Sequence, residues 1–122
     1  MKKKQVFKTV ATHLLTQERK AVLEDDADIC WYKLDGISCA IGGLIDDEHY
    51  NRDIEGNSAD NVDVIKAVED SLNTKVNSKD RDLLCKLQDI HDYSSVSSWR
   101  KELEDLSELT FDKTLEDLGV EA

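Results

Sequence analysis

A chain of 122 residues with 39% apolar and 35% charged residues and a net charge of −11 has room for one modest core, read as a single domain over 1–122. No apolar run approaches the roughly 20 residues of a membrane span, and Lys8, Thr9, Thr12 and His13 interrupt what would be a signal peptide's apolar region. Three cysteines, an odd number, do not suggest a disulfide framework, so reduced thiols in a cytoplasm are expected.

The first element is a helix over about 4–18, with residues 1–4 fraying. Val6, Val10 and Leu14 form one row at spacing four, and Phe7, Ala11 and Leu15 form the next. His13 lies off this stripe, so it is expected to be exposed. From Ile29 to Ile41 the chain reads as an antiparallel β-hairpin, with strands over about 29–39, around Asp35-Gly36, a pair suited to a two-residue type I′ turn. That turn sets Leu34 opposite Ile37, Tyr32 opposite Cys39 and Cys30 opposite Ile41. Cys30 and Cys39 are then diagonal, which argues against a disulfide between them.

After Cys39 a short helix is expected, with Ser38 as its N-cap and Ile41, Leu44 and Ile45 inward. Gly42 and Gly43 weaken a helix, so a second backbone should pass close by, or the helix is only a turn or two long. Residues 46–61 read as a loop tied down by Tyr50 and Ile54. Helices follow at about 61–73, capped by Asp60 or Asn61, and at about 79–92, capped by Ser78, with Leu83, Leu84, Leu87, Ile90 and His91 inward. Ser97 or Ser98 then caps a helix carrying Trp99, Leu103, Leu106 and Leu109. A last helix is expected over about 111–118, stopped by Gly119. The class is α+β, mostly helical with one small hairpin.

These pieces carry a resemblance. VATHLLTQ (10–17), DGISCAIGGLIDDEHYNRDIEG (35–56), LQDIHD (87–92) and Trp99 occur in the order found in a group of small bacteriophage and prophage proteins. The chain resembles that group over most of its length, the central block being the most specific. It departs at Gly43, where another residue such as cysteine is expected, and by lacking proline after Ile45. The resemblance implies a phage setting and action inside a host cell. It supplies no reaction.

Catalysis has one candidate arrangement. A thiol in the first turn of a helix feels the positive end of the dipole, and His91-Asp92 could give a base and its orienting carboxylate, as Cys39–His91–Asp92 in a hydrolase or transferase. The hairpin register opposes it by placing Cys39 on the apolar face. Adjacent helical residues also point about 100° apart, so Asp92 should not readily orient His91. No metal or other cofactor is expected, since no close Cys-x-x-Cys or His-x-x-x-His pair occurs and Cys30, Cys39, His49 and Cys85 would have to converge from afar.

Charge points instead to binding. Six Lys/Arg against one acid give the first 20 residues +5, leaving −16 on the other 102. Such an acidic body repels nucleic acid and membrane surfaces and favours basic partners. Direct nucleic-acid binding is therefore not expected. Asp46, Asp47, Glu48, Asp53 and Glu55 form the candidate binding surface. Taken with the resemblance, which implies a host setting, the leading expectation is a non-catalytic protein that binds a basic surface on a host protein, inhibiting a host defence or nucleic-acid-handling protein. The alternatives are the Cys39–His91 enzyme and a homo-oligomeric structural or regulatory module.

Overall fold

The computed structural model describes residues 1–23 and 26–120, and of residues 26–28 the backbone alone. Helix α1 (Lys3–Gln17) buries both expected rows, Val6, Val10 and Leu14 beside Phe7, Ala11 and Leu15. It ends where Glu18 turns left-handed and donates its N–H to the Leu14 carbonyl. The expected frayed end enters the helix at Lys3, and the Met1 ammonium donates to the Lys75 carbonyl at 3.1 Å and lies 3.5 Å from buried Asp80.

Two small antiparallel ladders follow where one hairpin was expected. Strand β1 (Val22–Leu23) pairs with β2 (Asp26–Cys30), Val22 opposite Cys30. Strand β3 (Lys33–Leu34) pairs with β4 (Ile37–Ser38) in the expected register, Leu34 opposite Ile37. Asp35 and Gly36 both take positive φ, 48° and 83°, as a type I′ turn requires. The register continues one step further, where Cys39 N–H donates to the Tyr32 carbonyl at 3.2 Å. It stops there. Cys30 pairs with Val22 in the other ladder, and Ile41 leads into the Gly42–Leu44 turn instead of facing it.

Instead of a capped helix after Cys39, Gly42–Leu44 forms a single 3-10 turn. The close backbone expected of the two glycines is that of Tyr32. A Cβ on Gly42 would sit 1.8 Å from the Tyr32 carbonyl oxygen, and one on Gly43 would sit 2.8 Å from Cδ2 of His13. His13 is therefore half-buried against Gly43, its Nε2–H donating to the Ser38 carbonyl. Ser38 does not cap anything; its N–H and carbonyl are taken by the Gln17 side chain.

Helix α2 (Val62–Leu72) starts at the expected cap Asn61. Helix α3 (Ser78–Tyr93) is capped by Asn77 rather than Ser78, in a reciprocal capping box with Asp80. Helix α4 (Trp99–Phe111) faces the core with Trp99, Leu103, Leu106 and Ser107. Leu109 is 79% exposed, against expectation. It lies about 80° around the axis from Trp99, on the side away from Ser107. Ser107 occupies the edge of the buried arc because its hydroxyl donates to the Lys113 carbonyl at 2.6 Å, pulling the chain back. The expected helix over 111–118 is absent. Asp112 turns left-handed, and Thr114 and Asp117 bond each other's backbone amides in an isolated turn.

The class is mostly helical α+β. One cluster of buried side chains runs from Val6 in α1 to Val120, centred on Phe7, Leu14, Ile41, Leu84, Leu87, Trp99 and Leu103. Cys39 and His91 lie within the fully buried part of it.

Candidate functional site

Helix α3, the end of β2 and the turn after β4 meet on one side of the core, and the chemistry-bearing residues gather there. Gln88 links them. Its Oε1 accepts the Ile41 N–H at 3.0 Å and its Nε2 donates to Asp92 Oδ1 at 2.8 Å. His91 is completely buried and stacks on Trp99, ring centroids 5.5 Å apart. Its Nδ1 is 2.8 Å from Asp92 Oδ1. The helix does continue through both residues, so the expectation that neighbours could not pair is corrected. The short Asp92 side chain folds back along the surface of α3, where Gln88 one turn earlier holds the same oxygen.

The other ring nitrogen decides what His91 can do. Nε2 accepts the backbone N–H of Ala21 at 3.1 Å. An amide can only donate, so Nε2 is unprotonated and Nδ1 carries the proton that Asp92 accepts. The lone pair a general base would use is occupied by the fold.

Cys39 is 1% exposed, and its sulfur accepts the Gly42 N–H at 3.3 Å. Burial pushes its thiol up to about 12, outweighing the Gly42 donor that favours thiolate. Cys30 is the thiol grouped with the histidine and Asp92. One ligand atom each of Cys30, His91 and Asp92 lies within 4.8 Å of the others. Burial, then the charge and hydrogen bond of Asp92, raise the Cys30 thiol to about 12 as well. Sequence reasoning missed Cys30 here because it assigned that residue to the wrong ladder.

Among the described residues this trio is the group whose spacing could hold a metal ion. It does not include His49 or Cys85. Its donor set is already committed: an ion on Nδ1 would have to displace the proton given to Asp92 while Ala21 still donates to Nε2. That would leave an imidazolate, which a site with one thiol and one carboxylate does not favour. The trio fits a hydrogen-bonded support better than a metal centre.

The expected binding loop divides in two. Glu55 is structural, its carboxylate accepting the N–H groups of Tyr32 and Lys33 and the Tyr50 hydroxyl. Asp46 is exposed but bound by the His49 ring and amide. Asp47, Glu48 and Asp53 are exposed, Asp47 being 3.2 Å from Lys33 Nζ. Beside Cys30 a cleft of about 660 Å³ opens, lined among others by Trp31, Tyr32, Asp92 and Tyr93. No helix among the described residues is long and apolar enough to cross a membrane.

Comparisons with protein-family models, with curated proteins and with solved structures find no match to this chain.

Proposed function

We propose that this is a non-catalytic binding protein that presents an acidic surface to a basic host macromolecule, in keeping with its resemblance to phage accessory proteins. Inhibition of a host defence or nucleic-acid-handling protein is the form of that action the resemblance favours. The observation that carries the reading is where the carboxylates stand. Among the described residues Asp80 is the only buried one, while acids stand exposed on the 46–53 loop and on α2, α3 and α4. A surface field of that sign accelerates encounter with a basic partner and weakens with salt. The commitment of the Cys39 sulfur to Gly42 and of His91 Nε2 to Ala21 supports the same reading, because both groups serve the fold.

The test is retention of proteins from host lysate on the immobilised chain at low and at high salt. The proposal expects a discrete basic protein held at about 50 mM salt and released by several hundred millimolar. Recovery of nothing at either concentration would count against it.

A further inference from the structure

The cleft beside Cys30 has aromatic walls. Trp31 and Tyr93 line it, Tyr93 being 83% exposed, with Ile29 beside them at 50%. Tyr32 forms a fixed wall, 5% exposed and held by its hydroxyl donating to the Asn57 carbonyl at 2.6 Å. Asp92 also lines the cleft. Its Oδ1 is taken by Gln88 and His91 and the Cys30 thiol also bonds to the carboxylate, yet the side chain keeps 22% of its surface. A carboxylate edge therefore faces a space bounded by indole and phenol rings.

A ligand that satisfied this would carry a cation for Asp92 and a flat or soft face for the rings. Arginine has both. Guanidinium stacks on aromatic faces and pairs with carboxylate in one plane, and it is less strongly hydrated than ammonium. We infer that this cleft receives an arginine side chain of the basic partner. This names the recognition element of the acidic-surface reading and rests on it.

One neighbour opposes the arginine. Lys20 Nζ donates to the Asp92 backbone carbonyl at 3.3 Å and places a like charge nearby, so its removal tightens binding.

The test uses the full chain with acetyl-arginine methylamide as probe and the neutral isostere acetyl-citrulline methylamide as control, followed by NMR chemical shifts at low salt. Saturable shifts at the Trp31 indole N–H and the Tyr93 ring, with the citrulline compound at least about fivefold weaker, support the inference. Tyr93→Ala should weaken the arginine compound about threefold, and Lys20→Gln should strengthen it about twofold. Asp92→Asn should weaken it about tenfold; because Asp92 also supports His91, the exposed Tyr93 variant decides the question if that protein does not fold. Shifts confined to the 46–53 loop, equal binding of citrulline, or indifference to Tyr93→Ala would overturn the cleft assignment. The two readings fail separately. A salt-sensitive host partner captured equally well by Tyr93→Ala and wild type removes the cleft and leaves the acidic surface. Arginine binding without any host partner removes the partner and leaves the cleft.

Discussion

The imidazole of His91 and the backbone amide of Ala21 meet across 70 residues of chain, Nε2 accepting the N–H at 3.1 Å. This bond joins the inner face of α3 to the segment between α1 and β1, inside the core. Replacing His91 with Ala leaves a buried amide without an acceptor and a hole beside Trp99, at a cost of about 3–4 kcal/mol. Chemical denaturation checks it. A loss under about 1 kcal/mol would mean that the bond contributes little.

Gly42 and Gly43 stand side by side but differ in what they tolerate. A Cβ at Gly42 meets the Tyr32 carbonyl at 1.8 Å, which is backbone and cannot yield without opening the hairpin. Gly42→Ala should give no folded protein at 37 °C, or lose more than about 3 kcal/mol. At Gly43 the obstacle is the His13 ring at 2.8 Å, which can shift, so Gly43→Ala should cost about 1 kcal/mol. Equal effects in circular-dichroism melts would contradict this ordering.

The thiols make the fold sensitive to alkali. Cys30 and Cys39 both stand near 12, burial being the first cause in each, against about 8.5 in an unfolded chain. The folded state thus holds these protons more tightly. The stabilisation is complete below about pH 8.5 and is lost as pH rises towards 12. Melting temperature should fall between pH 8 and pH 10.5, and fall less in Cys39→Ala. At pH 8 a disulfide reagent should label half-exposed Cys85 first and Cys39 last. Fastest labelling at Cys39 would revive the nucleophile.

The Tyr50 phenol is a further titrating group. Burial, then the hydrogen bond and charge of Glu55, push the Tyr50 phenol up to about 12. Glu55→Gln removes the charge, so the Tyr50 phenolate should appear at lower pH, towards the usual value of about 10. Absorbance near 295 nm during alkaline titration measures it. Because the same carboxylate accepts the Tyr32 and Lys33 amides, Glu55→Ala should also cost about 2–3 kcal/mol.

Much of this fold was legible, and the exceptions share a cause. The α1 stripe, the Asp35-Gly36 turn with Tyr32 against Cys39, and the crowding at Gly42 follow from periodicity and turn chemistry, which act over a few residues. The β1–β2 ladder was missed because Val22–Leu23 is too short to show alternation, and its existence reassigned Cys30. Asn77 displaced Ser78 as cap because both lie next to the helix start and only the reciprocal bond with Asp80 separates them. The 111–118 segment has helical spacing, but Thr114 and Asp117 satisfy their amides locally and end it. In the candidate site, His91 on an inner face was readable. Its partner Ala21, 70 residues away, left no signal in either neighbourhood, and neither did the position of Glu55 beneath the hairpin.

If the exposed carboxylates act and Cys39 does not, three proteins should separate cleanly: wild type, Cys39→Ala, and the triple variant Asp47→Asn, Glu48→Gln, Asp53→Asn. Salt-dependent retention of the host partner by each is the most direct measurement. Cys39→Ala, where folded, should bind as wild type does, and the triple variant should lose about tenfold in affinity at low salt. Undiminished binding by the triple variant together with loss in Cys39→Ala would contradict the acidic-surface reading.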